Sequence, residues 1–352
     1  MADVESGRSG GRAPHREASG RTRGLDAQSV RLSLLLHIAR HFGTRIPLEE
    51  LLLLLPPGPL RTVPELRTFL ESGPLTPWLQ AAPTEVSPDL HRRRALASTR
   101  WEEARNELPA LLRSVLPLVR TVVVTGSVAY GAAEEGADLD FFVITRDGAL
   151  WPVLLFTFLS LRMGPRADRS VWCFNQVMDE STARKYLSRS SDLLEARELL
   201  VARPLVGESY YRDVLRSTSW VRELLPRLYD RWEMGPRSGP FPPTAPAPCA
   251  VRLLGLCAFP VIAAYLQVKG LRDCRRLREG GRLAETFRSE TRLGRFALLT
   301  RKFEELRAVY AAASLPEGSL PHQGRSSSRG PSRDELPSAP GLTATGERTG
   351  PG

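Results

Sequence analysis

Thr121–Thr145 reads TVVVTGSVAYGAAEEGADLDFFVIT, and it leaves this chain few folds to choose from. Val122–Val124 is a β-branched apolar run of the kind that makes a buried strand. Gly126-Ser127 breaks the run, and Val128–Ala133 is small enough to start a helix close to a bound group. Asp138-Leu139-Asp140 then opens a second apolar strand, Phe141–Ile144. Residues two apart in a strand share a face. Asp138 and Asp140 therefore present both carboxylates to one side, while Leu139 and Phe141 face the other. Side-by-side carboxylates repel unless a cation sits between them. Mg²⁺ is the usual partner of one or two carboxylates together with substrate phosphates. The Gly-Ser turn adds backbone N–H groups at a helix start, where phosphate binds readily. As chemistry, the run describes a site for a nucleoside triphosphate held by metal and backbone.

The pattern Gly126-Ser127-x-x-x-Gly131, then Asp138-x-Asp140 before apolar residues, resembles the signature of the polymerase-β-type nucleotidyltransferase superfamily. Two positions depart from its common form: Ala137 stands where a serine usually precedes the first aspartate, and Tyr130 where a basic residue often precedes the second glycine. Further on, Cys173-Phe174-Asn175, Ala196-Arg197-Glu198-Leu199, Pro204-Leu205-Val206-Gly207 and Trp220-Val221 are similar to a poorly characterised bacterial branch of that superfamily. The resemblance spans roughly residues 95–310. It implies an α/β (α+β) fold, a short mixed sheet flanked by helices, here with helical N-terminal and C-terminal extensions. It also implies Asp138 and Asp140 as catalytic metal ligands for two Mg²⁺ ions, and Gly126, Ser127 and Gly131 as nucleotide-binding residues. A third carboxylate commonly stands on the next strand. Arg169–Met178 reads as that strand, with Asn175 at its middle and Asp179 just after it, so Asn175 and Asp179 are the candidates for the third position.

The rest of the 352-residue chain is read from composition and periodicity. Residues 1–25 and 315–352 are Gly-, Ser-, Pro- or Arg-rich and are expected to be disordered tails, without a signal peptide. Residues 28–90 should form a small helical unit, winged-helix-like or simply a packing module, with helices at Val30–His41, Leu48–Leu55 and Val63–Ser72. A long helix over His91–Leu118 leads into a core and following helices that together occupy 91–233, including an apolar helix at Leu150–Arg162 and helices within Ser191–Trp232 capped by Ser191. A Pro-rich linker covers 234–248, and a basic helical module 249–314. Thirteen Arg or Lys against six Asp or Glu in residues 250–314 give +7 of the chain's +10, a surface open to a polyanion such as nucleic acid. Leu253–Val268 is a 16-residue apolar run interrupted by Pro260. It is shorter than the roughly 20 residues that span a bilayer, so it reads as a kinked buried helix, and a membrane is not expected as a partner. Cys173, Cys249, Cys257 and Cys274 form no CxxC pair, which suits reduced thiols in a cytoplasmic protein.

These features lead to a metal-dependent nucleotidyltransferase that moves a nucleoside monophosphate from an NTP to an acceptor, whether small molecule, protein or RNA. Two alternatives stand beside it. One is a catalytically weak NTP-binding regulatory module, suggested by Asn175. The other is a nucleic-acid-binding protein that uses the 249–314 surface.

Overall fold

The two runs read as strands lie side by side near the centre of a six-stranded sheet in a computed structural model. It describes residues 27–36, 39, 46–72, 88–163, 172–189, 192–235, 246–279, 287–300 and 307, and structural statements below concern these residues. One compact unit spans Met1–Pro316. A second, Glu317–Gly352, lies outside the described residues, as do the expected tail 1–25 and most of the expected linker 234–248.

Strands β1 (Val119–Thr125), β2 (Leu139–Thr145), β3 (Trp172–Asp179), β4 (Arg203–Val206), β5 (Phe287–Arg292) and β6 (Arg295–Thr300) stand in the order β4-β1-β2-β3-β6-β5. Every neighbouring pair is antiparallel except β2 and β3. Parallel neighbours need a long crossover, and the helix Leu150–Met163 supplies it. The helices, in chain order, are α1 (27–36), α2 (Leu48–Leu54), α3 (Val63–Ser72), α4 (Pro88–Leu111), the one-turn α5 (Gly126–Ala129), the crossover α6, α7 (Glu180–Leu187), α8 (Leu193–Val201), α9 (Glu208–Arg216), α10 (Ser219–Leu224), α11 (Pro226–Glu233) and α12 (Cys249–Glu279).

The period-2 pattern of the strands sorts the core into two layers. Val123, Phe142, Ile144 and Met178 pack with α1–α3 and α7–α11. Val122, Val124, Phe141, Val143 and Val177 pack with α4, α6 and α12. The described helices of residues 28–72 share the first of these layers. Polar ties bind them to the rest. Buried Gln28 donates to the carbonyls of Pro56 and Leu60 and accepts from the Leu60 N–H, which pins the Pro-rich turn after α2 to α1. Arg227 on α11 donates to the carbonyls of Leu52 and Leu60.

Two expectations change. The 249–314 segment is not all helical: α12 is followed by the β5–β6 hairpin, and β6 joins the sheet beside β3. Leu293-Gly294 makes the turn, and Phe296 and Ala297 are buried where β6 pairs with β3. Charged residues at every second position of β5, Arg288, Glu290 and Arg292, disguise the hairpin's short apolar content. The apolar run inside α12 is also not buried all round. Ala258 and Ile262 are buried, whereas Leu253, Leu256 and Val261 are exposed. No helix among the described residues is long and apolar enough to cross a membrane. A smaller change concerns α8: its cap is Asp192, whose side chain accepts from the Glu195 N–H at 2.9 Å, and Ser191 lies outside the described residues.

Candidate nucleotide site

The site gathers at the end of β1 and the start of β2. The register sets Thr125, last in β1, opposite Asp140. Gly126 follows directly, with φ +66°, and a Cβ there would come within 2.3 Å of Asp140 Oδ2. The turn backs so closely onto this carboxylate that only glycine fits. The chain then makes the single turn α5 and reaches Gly131. Ser127 and Gly131 are half-buried on the same loop, and Ala132 N–H closes it by donating to the Ser127 carbonyl at 2.8 Å.

Leu139 and Phe141 pack into the α4–α6–α12 layer, so Asp140 points to the opposite side, the one covered by α8. Asp138 is exposed just before β2 begins. Burial raises the Asp140 carboxyl from its ordinary 3.8 to about 7; the Asn175 hydrogen bond pulls it down, and the nearby Glu198 and Asp138 push it further up. The carboxylate thus sits where its negative charge is poorly compensated, as expected of a group made for a cation.

Of the two candidates for the third position, the structure brings only Asn175 to this place. Its Nδ2 donates to Asp140 Oδ1, and its Oδ1 accepts from Cys173 Sγ at 2.8 Å. The thiol therefore turns the amide nitrogen toward Asp140. Asp179 is at the far end of β3, opposite Thr145 rather than Asp140. It accepts from Thr145 Oγ1 at 2.9 Å and from the N–H groups of Gly148 and Leu150 at 3.1 Å each. A late strand register would be needed to carry Asp179 to the site, and β3 does not have it. The role of Asp179 is to cap the start of α6. Asp179→Ala should cost about 2–4 kcal/mol of stability, because two backbone donors lose a buried acceptor. Burial holds its carboxyl above the ordinary value. The folding stability it contributes is thus fully present below its unfolded-state pKa and falls as pH rises through the higher folded value. Denaturant melts across pH 4–8 should show that slope flattened in Asp179→Asn, with nucleotide affinity unchanged.

Glu198 is the site residue that strand patterns alone do not reveal. It comes from α8, and its Oε2 accepts from the Gly126 N–H at 3.3 Å. Burial raises its carboxyl; the Tyr130 hydroxyl, the Gly126 N–H and Arg197 pull it down. The available signal was its spacing: Glu198 is four residues from buried Leu194, an acid set into the apolar stripe of a helix. Arg197 beside it lies over the Tyr130 ring at 4.4 Å and pairs with Glu50 of α2. A cavity of about 430 Å³ opens there, lined by Glu49, Glu50, Arg94, Tyr130, Arg197 and Arg231 among others. It has the size of a small-molecule site. Tyr130, the departure in the loop, thus forms one wall of a cavity rather than a phosphate clamp.

The donors around Asp138 and Asp140 suit a hard cation. They are carboxylate oxygens, and among the described residues no group of three or more His, Cys, Asp or Glu could by itself hold a metal ion.

No curated protein and no solved structure matches this chain. Residues 104–195, from within α4 to the start of α8, match the family model for the nucleotidyltransferase domain. That stretch contains β1, the Gly126 turn, β2, α6 and β3. The six-stranded mixed sheet flanked by helices fits that assignment. The match supports a nucleotidyltransferase domain over residues 104–195, consistent with the polymerase-β-type superfamily.

Proposed function

We propose that the protein transfers a nucleoside monophosphate from an NTP to an acceptor at the Gly126–Asp140 site. The observation that carries this reading is the direct backing of the Gly126 turn onto the Asp140 carboxylate. This closeness supports the reading, since a turn that would meet phosphate stands beside an oxygen that would meet a cation, which a solvated loop between two strands would not need.

In this reading Gly126 and Ser127 cradle the β- and γ-phosphates, and Gly131 lets the loop close around them. Asp138 and Asp140 hold the metal ions. Bound Mg²⁺ would supply charge neutralisation at the α-phosphate and leaving pyrophosphate and would lower the pKa of the acceptor hydroxyl. Asn175 fixes the rotamer of Asp140 by donating to Oδ1, and Cys173 fixes Asn175 in turn. Alignment of this kind is most of what phosphoryl chemistry asks of a protein. The cavity beside Tyr130 is the place for the rest of the substrate, either base or acceptor.

Asn175 favours a second reading. An amide can orient Asp140 but cannot take a proton, so an NTP-binding module with little or no turnover is consistent with the same geometry. Calorimetric titration with ATP, GTP, CTP and UTP plus Mg²⁺ separates these readings when pyrophosphate release is followed in cell extract. Transfer predicts Mg²⁺-dependent binding that Asp138→Ala/Asp140→Ala removes, with pyrophosphate formed by the parent protein alone. Binding without pyrophosphate selects the regulatory module. No binding by either protein rejects both and leaves the basic 249–314 segment, and nucleic acid, as the better lead.

A further inference from the structure

Seven of the ten large hydrophobic side chains that stand exposed among the described residues belong to two adjacent helices. On α6 they are Phe156 and Leu159; on α12 they are Leu253, Leu254, Leu256, Val261 and Tyr265. Leu253, Leu256 and Val261 are each more than half exposed, at 64%, 55% and 67%. The two helices pack against each other, with Ala258 and Ile262 turned into the core. The outward face of α12 is therefore apolar for at least three turns, on a layer that faces away from the Gly126–Asp140 side of the sheet. Scattered exposed leucines need no explanation, but a contiguous apolar face marks an interaction surface.

Charge on the same helix tells what covers that face. From Cys249 to Arg272 α12 has no acidic residue, and α6 has none at all. Beyond the apolar stretch α12 continues to Glu279 through Lys269, Arg272, Arg275, Arg276 and Arg278, against only Asp273 and Glu279. Arg272, Arg275 and Arg278 recur at three-residue steps, the spacing of one helix face. Arg162 ends α6 beyond Leu159 and is exposed. An apolar face continued by cations, on a helix that is not both long and apolar enough to cross a membrane, is the build of a helix that lies in the plane of a membrane surface. Packing two such faces together from two copies of the chain would add cations to cations. Anionic headgroups would neutralise them while the acyl boundary took up the leucines.

We propose that the α6–α12 face docks the protein on an anionic lipid bilayer, with Phe156, Leu159, Leu253, Leu256 and Val261 entering the headgroup–acyl boundary and the Arg-rich sequence that continues α12 supplying the positive charge. This docking is independent of the nucleotide chemistry. The test is co-sedimentation of the full chain with phosphatidylcholine vesicles and with vesicles of phosphatidylcholine and phosphatidylglycerol, at low and high salt. Binding should be about tenfold or more stronger to the anionic vesicles and should weaken with salt. Leu253→Asn/Leu256→Asn/Val261→Asn should lose that binding about tenfold or more at an unchanged melting temperature, since these side chains contribute little to the core. Arg272→Gln/Arg275→Gln/Arg278→Gln should lose the preference for anionic vesicles. Failure of the full chain to bind anionic vesicles overturns the proposal. So does a dimer in velocity sedimentation that the triple Asn variant dissociates, since the face would then belong to a second copy, and so does salt-sensitive RNA binding that the same substitutions abolish.

Discussion

Asp140→Asn should abolish nucleotidyl transfer, by roughly 10³-fold or more in kcat/KM, while leaving the protein at least as stable as the parent. The two halves of this expectation share one cause. Asp140 lies under α8 with Glu198 and Asp138 near it, and burial is the main reason its carboxyl is raised to about 7. The fold therefore disfavours the charge at this position in the absence of a cation. A neutral isostere removes that penalty, so the melting temperature measured without metal at pH 8 should not fall and should rise if the group is ionised there. On the proposed reading the chemistry would lose a metal ligand for the triphosphate, worth several kcal/mol in the transition state. Most buried-residue substitutions cost activity and stability together. Opposite signs here would mark Asp140 as a functional group held at the expense of stability. An equal loss of both would mean that Asp140 serves the fold, and the transferase reading would lose its main support.

Legibility differed by element, and the reasons are physical. The β1–β2 run could be read because its two periodicities agree: apolar alternation within each strand, and glycine where the backbone meets Asp140. The helices of α2, α3 and α6 followed from apolar spacing and Pro or Gly boundaries. The β5–β6 hairpin escaped because charged residues alternate along β5 and its pairing partner, β3, lies more than a hundred residues away. In the site, Gly126, Asp138 and Asp140 stand at the ends of β1 and β2 and Asn175 lies within the neighbouring β3, and strand pairing is enough to bring Asn175 to Asp140. Pairing does not bring Glu198 there, since its approach to Gly126 depends on how α8 packs over the sheet. Asp179 shows the converse. Its position after an apolar strand offered a second candidate ligand, and only the parallel register with β2 assigns it to the α6 cap instead.

The largest loss of stability from a single methyl group is expected at Gly207. This residue joins β4 to α9 with φ +65° and ψ 42°, and its carbonyl accepts the first α9 hydrogen bond, from Tyr211 N–H at 3.0 Å. A Cβ there would lie 1.8 Å from the Arg120 carbonyl oxygen and 2.9 Å from its carbon. Those are backbone atoms of β1, so no rotamer change relieves the overlap. Either β4 must draw away from β1, breaking the Val122–Val206 pairing and the Thr121 Oγ1 bond to the Val206 carbonyl, or β1 must shift with the buried Arg120–Glu180 pair. Gly207→Ala should therefore cost about 4 kcal/mol or more, at the top of the range for point substitutions. Gly136→Ala is the matched control. Its φ is +77°, yet a Cβ there meets nothing within 4 Å, so it carries only the left-handed penalty of about 1–2 kcal/mol. Urea melts of the two variants separate conformational strain from steric overlap. A difference of about 2 kcal/mol or more between them is the expected result. Equal losses would mean that β4 is loosely held on the sheet and that the wall behind the Gly126 turn is softer than its packing implies. Because β1 leads straight into Gly126, a shift of β1 in Gly207→Ala should also weaken nucleotide binding, although the substituted residue is at the other end of the strand.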